Sequence, residues 1–281
     1  MPALAYYNGK IGDREEIAIP LSDRSIFFGD AIYDAALAVN GNIVWEIEHI
    51  KRFFGNASAL SIPLPYSEEQ ISALLRKIVK KSNYNCAFLY FQVSRNLDKR
   101  MHSARNCQKS NLLITVEKFT LQDSEKALSL ITYPDKRYGY CNIKTVNLLP
   151  SVLAATFADN EGCDEAVFIR DGIVTECSRS NIFIIKDEKL LTHPKDERIL
   201  PGIARQKILL VCQRLGIPAV ERVFTEEELF SADEVLISST TKLCLGANSV
   251  NGMAVGGKNP SLRRKIQGEL HKEIDEFSKY W

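Results

Sequence analysis

The sequence predicts an α+β fold in two domains, built mostly from antiparallel sheets. Three observations predict it. At 281 residues the chain exceeds a single typical domain, which runs to about 100–200 residues. Short strand-like runs and helical stretches come in two blocks, parted by a polar interval at 120–124. Regular strand–helix–strand alternation is sparse, and neither G-x-G-x-x-G nor G-x-x-x-x-G-K-[ST] occurs, which argues against nucleotide-binding parallel sheets. The expected layout is a small N-terminal domain over 1–119, a linker over 120–124 and a larger C-terminal domain over 125–281.

The elements follow in order. Residues 3–7, 10–12 and 16–19 read as short strands, and Asn8-Gly9 between the first two is a hairpin signal. Residues 31–39 form an apolar stretch closed by the turn Asn40-Gly41. From Glu46 to Ser61, the residues Ile47, Ile50, Phe53, Phe54, Ala57 and Leu60 recur at helical spacing. Ser67 ahead of Glu68, Glu69 and Gln70 reads as the cap and acidic first turn of a helix reaching about residue 82. Residues 86–93 and 111–116 are rich in aromatic and β-branched side chains, as strands are. In the second block, strands are expected at 127–133, 165–170, 173–176, 181–186, 189–193, 233–238 and 243–250. Helices are expected at 148–161, 202–215, 225–230 and 260–278, the first two stopped by Gly162 and by Gly216-Ile217-Pro218.

Composition excludes several functions. With 36 basic against 35 acidic side chains, the net charge of +1 offers no broad cationic face for nucleic acid. A 45% hydrophobic content supplies enough apolar surface to exclude disorder as the main state. No apolar run approaches the 18 residues of a membrane span, and the N-terminus has no basic segment before an apolar one. The seven cysteines are scattered and never form Cys-x-x-Cys, which points to reduced thiols in a cytoplasm and to no metal site.

Four segments carry residue types suited to chemistry. Lys144 lies in an uncharged, largely apolar stretch, Cys141 to Leu149. Apolar surroundings favour a neutral amine, which suits Schiff-base chemistry. Glu176 sits between two apolar strands, where a carboxylate can pair with a ring nitrogen or cap a turn. Leu200-Pro201-Gly202-Ile203-Ala204 opens a helix, whose free N–H groups bind phosphate well. Ser238-Ser239-Thr240-Thr241 follows a buried strand and could close such a site. Taken singly, each also reads as ordinary structure: a lysine stem on apolar surface, a solvated glutamate, a loop-to-helix turn, a polar strand end.

In this order and spacing the segments resemble the fold-type IV pyridoxal-phosphate enzymes, the class IV aminotransferases, and within them the D-amino-acid transaminases. The resemblance covers nearly the whole chain. It rests on Asp23-Arg24, Phe28-Gly29-Asp30 with Tyr33, Glu48-His49-Ile50-Lys51-Arg52, Tyr90-Phe91-Gln92-Val93-Ser94-Arg95 and Arg100-Met101-His102. It continues through Ile143 to Leu149, Thr175-Glu176, Ser180-Asn181 and Thr192-His193-Pro194. The resemblance implies a small α/β sandwich followed by a larger pseudo-barrel, and pyridoxal 5'-phosphate as cofactor. It makes Lys144 the Schiff-base lysine and proton shuttle, and sets Glu176 facing the pyridine nitrogen. Arg52, the Ile203 and Ala204 amides, Thr240 and neighbouring Ser239 match phosphate contacts, and Leu200 matches the residue packed on the ring. Tyr33, Arg100 and His102 match the substrate-carboxylate contacts, the last two reaching a neighbouring subunit's site in a homodimer.

The implied reaction moves an amino group between D-amino acids such as D-alanine and D-glutamate and 2-oxo acids such as pyruvate and 2-oxoglutarate, by ping-pong half-reactions. A branched-chain L-amino-acid or amine transaminase, or an aminodeoxychorismate lyase, are alternatives on the same fold. A binding protein that merely kept the fold sits poorly with the presence of both Lys144 and Glu176. The sequence departs from the family pattern at four places. Ala204 lacks a hydroxyl that relatives often offer to the phosphate. Arg179 replaces a small residue and is expected to face solvent or join an ion pair. Ala31 and Asp34 flank Tyr33 and leave the pocket wall there open.

Overall fold

The computed structural model describes residues 3–96 and 100–278. The chain divides into two compact units. The first comprises Met1–Leu121, Ile143–Asn147 and Glu276–Trp281, and the second Gln122–Asn142 and Leu148–Asp275. The segment Ile143–Asn147, which the sequence reading assigns to the second domain, clusters with the first. Its backbone explains why: Thr145 bridges Ile32, Tyr33 N–H donates to the Lys144 carbonyl at 2.9 Å, and Val146 N–H donates to the Ala31 carbonyl at 3.2 Å.

The first unit holds a wholly antiparallel sheet of β1 (Leu4–Tyr7), β2 (Lys10–Asp13), β3 (Ala31–Val39), β4 (Asn42–Ile43), β5 (Cys86–Arg95) and β6 (Ser110–Lys118). Its order is β2-β1-β6-β5-β3-β4. Asn8 and Gly9 both take positive φ, 45° and 99°, the twist a two-residue hairpin needs. Residues 16–19 are not a strand. Asp13 caps a 3₁₀ turn, Arg14–Glu16, by accepting from Glu15 N–H, and this turns the chain off the sheet.

Three helices serve this sheet: α1 (Arg24–Phe28), α2 (Glu46–Ala59) and α3 (Glu68–Ser82). α2 buries His49, Ile50, Phe53, Asn56 and Ala57, spaced as one helical face. Ile47, read from sequence as part of that stripe, is 66% exposed. Ser67 and Gln70 form a reciprocal capping box on α3. Phe53, Ile71, Leu75 and Ile78 pack with Ile32, Leu89, Phe91 and Ile114 of the sheet into one core. α1 was not expected from the sequence; at five residues it is too short to show a period.

The second unit is built on β7 (Leu128–Pro134), β8 (Glu165–Arg170), β9 (Ile173–Cys177), β10 (Asn181–Lys186), β11 (Lys189–Thr192), β12 (Ala219–Glu221), β13 (Glu234–Ser238), β14 (Leu245–Val250) and β15 (Met253–Ala254). The order is β12-β11-β10-β13-β14-β7-β8-β9, with β15 on β14. The pairs β7–β8, β7–β14 and β11–β12 are parallel and the rest antiparallel, so the mostly antiparallel expectation holds. The sheet curls: Cys177 N–H at the end of β9 donates to Ser180 O just before β10, and His193 Nδ1 meets Val174 O at 3.0 Å. Leu130, Val167, Ile182, Val235, Ile237 and Leu245 fill its core.

α4 (Leu149–Asn160), α5 (Ile203–Leu215), α6 (Glu226–Ser231) and α7 (Pro260–Ser278) complete this part of the chain. α7 buries Ile266, Leu270 and Ile274, one residue per turn along a single face. α4 is different. It buries Ala154 and Ala158 but leaves Leu149, Val152 and Leu153 more than half exposed. No described helix is long and apolar enough to cross a membrane.

Candidate functional site

In the first unit, β3 carries Tyr33 and Asp34 on opposite faces, because successive strand residues alternate. Tyr33 faces Lys144, whose Nζ lies 4.5 Å from the ring centroid, and its other neighbour is Tyr90, stacked at 5.2 Å. Asp34 points the other way and is fully buried. Its carboxylate takes Arg52 Nε and Nη2, both at 2.7 Å, His49 Nδ1 at 2.8 Å and Ala35 N–H at 2.7 Å. The Asp34 departure therefore does not line Tyr33's side of the strand; it seats Arg52 from behind.

Burial alone would raise the Asp34 carboxyl, but Arg52 and His49 hold it well below the usual carboxylate range. Burial lowers the His49 pKa, Asp34 opposes that, and Arg52 and Lys144 lower it further. His49 is therefore neutral near pH 7. An ionised carboxylate only accepts, so Nδ1 carries the proton. Nε2 is left as a buried acceptor with no partner among the described residues.

Arg100 and His102 are exposed on a loop that lies on α1. The Arg100 guanidinium is 5.3 Å from the Phe28 centroid, and the His102 ring meets Phe28 edge-on at 5.5 Å.

In the second unit, Glu176 on β9 is buried and fixed by several donors. Asn181 Nδ2 donates to Oε2 at 2.9 Å, Leu200 N–H donates at 3.1 Å, and Arg137 donates to Oε1. Arg137 also grips Asp135, Thr175 Oγ1 and the Arg198 carbonyl, and stacks 4.3 Å from the Phe168 centroid. Burial would lower its pKa; Glu176 and Asp135 raise it further than burial lowers it.

Asn181 also donates to the Leu200 carbonyl at 2.8 Å and so ties Glu176 to the start of α5. A Cβ at Gly202 would stand 2.1 Å from Asn181 Oδ1, so only glycine fits this cap position. With no capping side chain on Gly202, the first-turn N–H groups at Ile203 and Ala204 remain for an outside acceptor. The side chains of both residues are buried, so Ala204 contributes backbone alone.

β13 pairs with β10 so that Ser238 lies opposite Asn181, which starts the Ser239–Thr240 turn beside this helix end. Ser239 Oγ accepts from Lys242 N–H at 3.2 Å, and Lys242 Nζ reaches the buried Glu165 at 2.7 Å. Arg179 is exposed and donates to the Asp164 carbonyl, with its own N–H on Glu165.

The structure thus groups Tyr33, Lys144 and the Arg52 anchor in one unit, and Glu176, Leu200, Ile203, Ala204, Ser239 and Thr240 in the other. Sequence reasoning gave no role to Arg137, Asn181, His49 or Lys242. Asn181 and His49 lie in Ser180-Asn181 and Glu48-His49-Ile50-Lys51-Arg52, two of the segments that carry the family resemblance. Arg137 lies 39 residues before Glu176, a separation at which no local pattern signals a contact.

Residues 31–250 match the family described as amino-transferase class IV. The D-alanine aminotransferase of Bacillus licheniformis is 34% identical over 273 residues, covering 95% of this chain and 96% of that protein. The D-alanine aminotransferase of Listeria monocytogenes serotype 4b (strain F2365) is 36% identical, covering 95% and 94%. In fold, the branched-chain amino acid aminotransferase of Escherichia coli superimposes with a TM-score of 0.88 at 21% identity, over 100% of this chain and 97% of that one. The chain belongs to the class IV aminotransferases, enzymes that work with pyridoxal phosphate.

Proposed function

We propose that this chain is a pyridoxal-phosphate-dependent D-amino-acid transaminase, moving an amino group between D-alanine or D-glutamate and pyruvate or 2-oxoglutarate in two half-reactions. The observation that carries the reading is the pairing of the Lys144 amine with the face of Tyr33, in a chain whose near-full-length relatives are D-alanine aminotransferases. The branched-chain likeness is one of fold.

Support for the cofactor comes from the donor sets. The uncapped start of α5, with no room for a Cβ at Gly202, suits the close approach of a phosphate. Glu176, buried and held by three donors, suits a protonated ring nitrogen. When bound, pyridoxal phosphate supplies an electron sink for the bonding electrons released at the substrate Cα.

The residues of this chain do the rest. Lys144 would hold the group through its amine and, as a free amine, would carry a proton between the substrate Cα and the cofactor's C4′ carbon. Glu176 keeps a proton on the ring nitrogen. Arg52, the Ile203 and Ala204 amides and the Ser239 and Thr240 hydroxyls bind phosphate, and Leu200 packs on the ring. Tyr33, Arg100 and His102 take the substrate carboxylate, for which a guanidinium fork is well shaped.

The exposed Leu149, Val152 and Leu153 on α4 support a homodimer, since such an apolar face seeks cover. Seven free thiols support a cytoplasmic setting.

The deciding experiment adds single amino acids to the holoenzyme and follows the cofactor's absorbance. D-Alanine should convert it to the amine form and release pyruvate. Conversion by L-leucine but not by D-alanine would overturn the reading.

A further inference from the structure

Arg24, the first residue of α1, is a charged side chain only 3% exposed. Its guanidinium is spent on three oxygens. Nη1 donates to the Met101 carbonyl at 2.7 Å, Nη2 to the His102 carbonyl at 3.0 Å, and Nε to Asp30 Oδ2 at 2.7 Å. Its flat face lies 4.3 Å from the Phe28 centroid. Asp30 is in turn held by Arg95 Nε at 3.0 Å, and Arg95 donates to the carbonyls of Ser61 and Leu60 past the end of α2. The backbone at residues 101 and 102 is thus tied through a buried fork to β5 and α2.

Fixing those two carbonyls fixes the chain between Arg100 and His102, while both side chains stay exposed on Phe27 and Phe28. An arginine needed only to neutralise Asp30 would not have to reach the loop, since Arg95 already pairs with that carboxylate. The fork matters because one planar group reaches both carbonyls and the carboxylate at once, which an ammonium does not match.

We propose that Arg24 is the positioning residue of the Arg100–His102 loop, holding its backbone in the form that presents both side chains to a substrate carboxylate. The proposal rests on the reading of Arg100 and His102 given above.

The test compares holoenzyme variants Arg24→Met, Arg24→Lys and Arg100→Ala by two readouts. One is the KM and kcat for D-alanine. The other is the rate of tryptic cleavage between Arg100 and Met101, followed by mass spectrometry. Loss of two hydrogen bonds from a charged donor should raise KM about ten- to a hundredfold in Arg24→Met, with kcat changed far less. Cleavage after Arg100 should quicken about tenfold or more as the loop opens locally. Arg24→Lys keeps a charge beside Asp30 and should show both effects in weaker form; it carries the test if the Met variant does not fold.

Unchanged cleavage overturns the proposal whatever KM does. Faster cleavage with flat KM, where Arg100→Ala raises KM, also overturns it. A flat KM in Arg100→Ala removes the carboxylate reading and the proposal with it, and is told apart by that variant alone.

Discussion

Lys144 Nζ sits 4.5 Å from the centroid of the Tyr33 ring, and the Tyr33 N–H donates to the Lys144 carbonyl at 2.9 Å. Backbone and side chain of one residue are therefore both set by the other. The ring face lies against the Lys144 side-chain nitrogen, and the hydroxyl stands at the far end of the ring.

This arrangement separates two functions by mutation. Lys144→Ala removes the proposed proton carrier and should cut turnover by about 10²–10⁴ or more. Tyr33→Phe keeps the ring beneath Nζ and removes only the hydroxyl. It should raise KM for D-alanine about tenfold, the cost of a hydrogen bond to a charged group, with kcat nearly preserved. Steady-state kinetics on both variants checks the split; an equal fall of kcat in Tyr33→Phe would show the hydroxyl acting in the chemical step instead.

Glu176 and Arg137 form the corresponding pair in the second unit. Glu176→Gln keeps the shape and the Asn181 and Leu200 neighbours but removes the charge. Arg137 still has Asp135 as counter-ion, so the fold should survive. Turnover should fall by about a hundredfold or more, as expected when a preorganised charge is lost from a reacting site. Retained cofactor absorbance after gel filtration, alongside slow turnover, is the expected signature.

The Asp34–His49–Arg52 cluster gives a pH dependence with a definite sign. His49 has its pKa lowered on folding, so between the lowered value and about 6.5 the unfolded chain binds a proton that the folded one refuses. Stability should therefore fall as pH drops below about 6.5. Asp34 behaves differently. Its carboxyl is depressed by Arg52 and His49, so its contribution is full above about pH 4 and is lost only as pH falls through the depressed value. His49→Gln should flatten the loss of Tm that sets in below about pH 6.5. Asp34→Asn should lower Tm at pH 7, and because Asp34 also holds the His49 pKa up, the margin should widen as the pH falls toward about 4. Thermal melts across that range test both.

Much of this was legible in the sequence. The helices α2 and α3 announced themselves by the spacing of Ile50, Phe53 and Ala57 and by the Ser67–Gln70 box, both local patterns. The strand edges of β8 and β10 followed from β-branched runs bounded by turns. What local patterning could not carry were relations across the chain. Thr145 pairs with Ile32, 113 positions away by their numbers, and no period records that. Asp34 looked like a change in the pocket wall because it adjoins Tyr33. The strand's alternation turns it to the other face, where it meets Arg52 from α2.

Gly202 illustrates a residue whose importance lies in what it lacks. Its φ of −62° is open to any amino acid, so backbone freedom does not explain it. The constraint is Asn181, whose Oδ1 would lie 2.1 Å from a Cβ at position 202. Asn181 cannot easily give way, because its Nδ2 is shared between Glu176 and the Leu200 carbonyl. Gly202→Ala must therefore push Asn181 aside or shift the start of α5. Either movement disturbs the proposed ring-nitrogen and phosphate contacts together. The expected cost is about 1–3 kcal/mol of stability, typical of overpacking, with weaker retention of pyridoxal phosphate on dialysis. The clash has one specific partner, so a double-mutant cycle isolates it. Asn181→Ala removes the oxygen that blocks the new methyl. The double variant Asn181→Ala/Gly202→Ala should be nearly as stable as Asn181→Ala alone. If thermal melts instead show the two losses adding in full, the close contact with Asn181 is not what reserves position 202 for glycine.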